Sequence, residues 1–368
     1  MTADLATAEF LTFAEEAQAL ELTPRRRMAQ VFHEYGRLAI AEGGAAEAPA
    51  GAPEPEPELA GAPTLTETLG RAAFDLRNTP ETRAMKLDRP FQGLTWGADV
   101  AEGPMPLHLP GDEIAQPTDA EGPAPAPEAE AEPPLSSRLT GRVAVGLVIV
   151  SGDRPGLRLN QQEQTLIVSE VQNGLSFLAS QAPARDVTFV HDIRVVTVNV
   201  PEVTSGTSYE DFEAPWRDAA LQELGLPPGS SGARRHARNL RAQLGTNWAY
   251  VAFFTKYKLR HFAYAALGGP KLVMHFGNDG WGSNQIDRVF AHETGHIFNA
   301  PDEYASSNCT CGGSWGVFGA PNANCAVCAP GGGVDCIMQS NDWSMCGSTL
   351  LHLGYNGVPH PGMAAGTS

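Results

Sequence analysis

His292 and His296 lie four residues apart in the string HETGH, with Glu293 between them. On a helix that spacing leaves about 40° between the two side chains, so both imidazoles face one way and Glu293 flanks them. Two neutral imidazoles suit Zn²⁺ at about 2.0–2.1 Å. A nearby carboxylate that is not itself a ligand can take a proton from water activated by such an ion. A catalytic zinc usually takes three protein ligands, and the next acids are Asp302 and Glu303 in NAPDEY. An unbroken helix would carry residue 302 about 15 Å along its axis from His292, too far to share an ion. The chain is built to stop: Pro301 disfavours helical geometry at Ala300. Asn299 is the non-glycine residue best suited to the left-handed turn that closes a helix. Asp302 is therefore the favoured third ligand and Glu303 the alternative. Tyr304 reads either as a substrate contact or as core packing.

The six cysteines all fall between positions 309 and 346. Cys309 and Cys311 form a CxC, Cys325 and Cys328 a CxxC, and Cys336 and Cys346 follow singly. One reading is three disulfides stapling a loop-rich segment. The other is a structural zinc on the first four thiolates, with the last two paired or free. The turn-rich loop GNDGWGSN offers Asp279 to calcium, a weak signal, and calcium is not expected.

Elements that could position these groups begin near residue 138. RVAVGLVIVSG is an apolar strand, and QQEQTLIVSEVQNGLSFLASQAP has the 3.6-residue period of a long helix. VTFVHDIRVVTVNV is a further strand, and helices are expected at 209–224 and 231–243. NWAYVAFFTKY and FAYAALGGPKLVMHF read as strands before the HETGH helix, whose start Ser283 or Asn284 could cap. AALGGPKLVMHF could provide a sheet edge for an extended peptide. The order implies an α+β domain: a twisted mixed sheet, a long backing helix and an active-site helix, then a cysteine-rich, loop-dominated end. Domain limits are placed at 137–356, with 309–346 the cysteine-rich part and 357–368 a disordered tail.

The first third reads differently. The net charge is −17, and residues 1–136 hold 24 acids against 9 bases. Apolar spacing in residues 1–42 suggests a helical arm. Residues 43–136 read as an acidic Pro/Ala/Glu-rich linker in which 64–114 holds a short ordered element or a segment that docks on another part. No basic stripe is available to meet phosphates, so nucleic-acid binding is not expected. No apolar run reaches the length of a membrane span. The N-terminus lacks the basic start of a secretory signal, whereas clustered cysteines favour a secreted or extracytoplasmic setting.

HETGHIFNAPD resembles the metzincin clan of zinc peptidases, whose motif is HExxHxxGxxH. Asn299 stands at the glycine and Asp302 at the third histidine, a substitution known in that clan. DCIMQS resembles the methionine turn of its adamalysin (reprolysin) branch, and Met338 would lie beneath the metal. The resemblance covers residues 138–355 and is specific only at these two motifs. It implies a metzincin-like zincin fold and a zinc endopeptidase acting on peptide or protein substrates, with Glu293 as general base. Thermolysin-like enzymes take a ligand glutamate from a later helix, but no glutamate follows Glu303. Two other functions stay open: a non-catalytic binding module on this scaffold, and a zinc hydrolase of a non-peptide amide. Residues 1–135 contain no cysteine, so latency by a thiolate on the zinc is excluded. Oligomeric state is not legible.

Overall fold

β4 (Arg142–Gly152) is apolar almost throughout because it is covered on both faces and paired on both edges. It runs parallel to β5 (Thr188–Val198) on one side and to β6 (Trp248–Thr255) on the other. Beyond β6 lie β8 (Lys271–His275), parallel, and the short β7 (Ala263–Ala265), antiparallel at the edge. The structure, a computed structural model, describes residues 8–16, 30–43, 59–98 and 133–355.

Three further strands extend the sheet past β5. β2 (Val31–Tyr35) pairs parallel with β5 and antiparallel with β3 (Leu38–Gly43), which pairs with β1 (Ala8–Phe13). The order is β1-β3-β2-β5-β4-β6-β8-β7, a mixed eight-stranded sheet. The helical arm expected over 1–42 is thus corrected: its described parts are largely strand. Gly36 at φ +63° turns β2 into β3, a hairpin signal that the apolar periodicity masked. Val31 to Tyr35 are buried on both faces, and tertiary pairing outweighs any local helical preference. Residues 17–29 lie outside the described residues, as do most of the linker tract at 115–135 and the expected tail at 357–368.

The segment expected to hold a short ordered element carries two helices, α1 (Leu65–Arg77) and α2 (Pro80–Leu87). Thr64 and Glu67 form a capping box that starts α1. After α2, residues 88–98 run as a strap without regular structure, apart from an isolated bridge between Thr95 and Ser340. Residues 99–114 lie outside the described residues.

Helices cover both faces. One face packs α1, the long α3 (Gln161–Gln181) and α6 (Ile286–Ile297) over one core cluster. The other packs α4 (Tyr209–Glu223) and α5 (Gly229–Leu244) over a second. A capping box of Asn160 and Glu163 starts α3. At Gly174, α3 touches the backbone of α6: a Cβ there would sit 2.4 Å from the Asp287 carbonyl oxygen. That close approach is what makes α3 the backing helix of α6.

From Pro301 to Met345 the described chain holds loops and short turns, closed by α7 (Gly347–His352). No helix of the described residues is long and apolar enough to cross a membrane. The chain is therefore α+β, with a mixed sheet, a long backing helix and a loop-dominated end.

Candidate metal centre

α6 ends where Ile297 and Phe298 hand over to Asn299 at φ +68°. The Ala300 amide donates to the Gly295 carbonyl at 3.0 Å, and the Asn299 amide to the His296 carbonyl at 2.9 Å. This pair of bonds is a Schellman closure, with asparagine in the left-handed position that glycine usually fills. The chain reverses, and Asp302 comes back over the helix.

The reversal brings three side chains together. His292 Nε2 and His296 Nε2 are 3.1 Å apart, and Asp302 Oδ1 lies 3.1 and 3.2 Å from them. Donors on one tetrahedral ion at about 2.0–2.1 Å stand about 3.3 Å from each other, so the triangle fits. The far sides of the rings are also committed. His292 Nδ1 lies 2.9 Å from the Ile337 carbonyl, and His296 Nδ1 lies 2.7 Å from the Ala300 carbonyl. A carbonyl only accepts, so each Nδ1 carries the proton and each Nε2 presents a lone pair. With both rings neutral, three acceptor atoms face one another at 3.1–3.2 Å. Such an arrangement calls for a cation, and a borderline ion with nitrogen and oxygen ligands suits it.

The electrostatics agree. Burial opposes ionisation of Asp302, but His296 and His292 outweigh it and hold the carboxyl far below its ordinary range. Burial alone would depress His296, yet the Asp302 charge and hydrogen bond more than reverse this and push it up to about 9, so the place beside Asp302 draws positive charge, whether a proton or a metal ion. Glu293 is buried, with one carboxylate oxygen lacking any partner. Burial raises its value, partly offset by the two histidines. A buried carboxylate of raised pKa accepts a proton more readily than an exposed one.

Met338 is fully buried under the helix. A Cβ on Gly295 would come within 2.7 Å of its sulfur, so only glycine lets the turn approach. Its carbonyl accepts from the Glu303 amide at 2.9 Å. Glu303 itself turns away from the histidines: its carboxylate accepts from Asn324, Thr349 and Cys346 at 2.7, 2.8 and 3.1 Å. Tyr304 places its ring 6.3 Å from that of His292. Burial, with the charges of Asp302 and Glu293, pushes its phenol up, so it stays a donor.

The cysteines depart from both expectations. Cys309 joins Cys325, and Cys311 joins Cys328, as disulfides, while Cys336 and Cys346 are free and buried. Neither three disulfides nor a four-thiolate zinc describes them. The CxC residues do not bridge each other, and both reach across to the CxxC residues. The sheet edge is likewise reassigned. β8 is interior, and the preceding Gly268 amide donates to the His296 carbonyl at 2.9 Å, so these glycines serve the helix end and the outer edge is β7.

The docking segment read within 64–114 is this strap, but the residues it docks on were not legible. Arg89 forms a two-pronged pair with Asp287 at 2.7 and 2.6 Å, and Trp96 sits against the His292 ring. The only signal was the pairing of arginine and aromatic residues in DRPFQGLTWG, unlike the Pro/Ala/Glu tracts around it.

No family model matches the chain, and no curated protein matches it. Among solved structures it is similar to metalloproteinase-II from Bacteroides fragilis, at 11% identity and a TM-score of 0.29. The match covers 60% of this chain, which spans 58% of that one.

Proposed function

We propose that this chain is a zinc-dependent endopeptidase of the metzincin type, with His292, His296 and Asp302 as ligands and Glu293 as general base. The observation that carries the reading is the triangle of two ring nitrogens and a carboxylate oxygen at 3.1–3.2 Å, each ring fixed from behind by a carbonyl. Bound zinc would supply a Lewis acid for the scissile carbonyl and for water. Glu293 takes the proton of the attacking water, for which its raised pKa makes it a stronger acceptor, and passes it to the leaving nitrogen. Asp302 adds the negative charge that holds a dication between two neutral rings. Met338 would support the floor without touching the ion, and Tyr304, packed beside His292, would donate to substrate. The substrate is a peptide or protein. The two disulfides fit an oxidising, secreted or extracytoplasmic setting.

Digestion of a peptide library by zinc-loaded wild type and Glu293→Ala tests this. The expected result is cleavage by wild type, a loss of about 10²–10⁴-fold in the variant, and equal zinc content. A wild type that binds zinc and cleaves no peptide would refute it, leaving a binding module or a hydrolase of non-peptide amides.

A further inference from the structure

The strap at 88–98 is fastened to the two elements that build the metal centre. Arg89 pairs with Asp287 of α6, and Arg288 of α6 donates to the Gln92 side chain at 2.5 Å. Gly93 donates to the Asn341 carbonyl at 2.9 Å, and the Asn341 amide returns a bond to Leu94 at 2.8 Å. Phe91 holds φ +64°, a conformation unfavourable for an aromatic residue that survives only where its surroundings impose it. Its ring packs edge-on to Trp281 at 5.6 Å, and Trp281 packs on Trp96 at 5.0 Å.

This fastening delivers one side chain to the centre. Trp96 Nε1 donates to the Ile337 carbonyl at 2.6 Å, and His292 Nδ1 donates to the same oxygen at 2.9 Å. The indole also lies 5.5 Å from the His292 ring at 61°, so it limits ring rotation. A carbonyl oxygen has two lone pairs, and the two donors do not compete. Trp96 instead pins the 337–338 peptide, whose oxygen fixes the proton on His292 Nδ1 and leaves Nε2 free to bind.

We propose that Trp96 is a positioning residue of the metal centre, contributed by the segment before the catalytic domain, and that it sets metal affinity by fixing His292 through the Ile337 carbonyl. The inference rests on the zinc-site reading above. Outer partners of a ligating histidine commonly change metal affinity by about 10–100-fold.

The test uses the full chain, stripped of metal and titrated with zinc against a chromogenic chelator, as wild type and Trp96→Phe. Zinc-free urea unfolding is followed in parallel, and so is the visible spectrum of the cobalt-loaded forms. The expected result is about tenfold weaker zinc binding and an altered cobalt spectrum, beyond any change in zinc-free stability. Unchanged affinity and spectrum, even with lower stability, would make Trp96 a packing residue and overturn the proposal. Should Trp96→Phe not fold, benzothienylalanine at position 96 keeps the shape without the N–H and gives the same reading. A wild type that takes up no zinc would instead refute the proposed function.

Discussion

Asn299 is where the helix must stop for Asp302 to return, and its φ of +68° makes the turn testable by substitution. Asparagine tolerates that region, whereas a Cβ without a compensating polar group costs roughly 1–2 kcal/mol there. Asn299→Ala should therefore lower zinc-free stability by about 1 kcal/mol. Asn299→Val, branched at Cβ, should lower it by about 2 kcal/mol or more. Asn299→Gly should be neutral or slightly stabilising. At roughly 1–2 °C per kcal/mol for a chain of this size, the series is resolvable by thermal unfolding. Function should follow the same order more steeply. The Schellman bonds of Asn299 and Ala300 set the direction in which Asp302 leaves the helix, and a misplacement of about 1 Å at such a site costs about 10²-fold. Zinc affinity should hold for Asn299→Gly and fall for Asn299→Val. If the glycine variant is the least stable, or valine behaves as wild type, the left-handed closure is not what positions Asp302.

Three further outcomes follow from the packing. Asp287→Asn leaves Arg89 buried without its paired carboxylate, while Lys86 keeps Glu170, and should cost about 3–5 kcal/mol in urea unfolding. A paired Arg89→Leu/Asp287→Leu variant should recover much of this. Glu67 is held down to about 2, chiefly by Arg37, so its contribution is complete above pH 4.5 and is lost as pH falls through about 2. Since Arg37 is largely solvent-exposed, wild type should lose only about 1–2 kcal/mol more than Glu67→Gln over that window, read by acid unfolding. Reducing the disulfides, whose partners are 16 and 17 residues apart, should lower stability by about 3 kcal/mol for the first broken. Thiol titration before reduction should find two free cysteines.

The site was legible because its signals are local. Histidines four apart, a proline after the helix and an asparagine before it each constrain a few neighbouring bonds, and the structure brings His292, His296 and Asp302 together. The central strands were legible because burial on both faces leaves unbroken apolar runs such as β4. What escaped depends on contacts far apart in sequence. The apolar spacing of Phe10 and Phe13 fits a helix as well as a strand, and only pairing with β3 decides between them. Trp96 acquires its place from a carbonyl 241 residues away. The cysteine pairing was open because fifteen patterns exist for six residues and none is fixed by local geometry.

X-ray absorption at the zinc edge of the loaded wild-type chain tests the central claim most directly. It should show two imidazole nitrogens and one carboxylate oxygen at about 2.0–2.2 Å, with no sulfur. A sulfur shell at about 2.3 Å, or an unchanged spectrum in Asp302→Ala, would place the ion elsewhere and contradict the account.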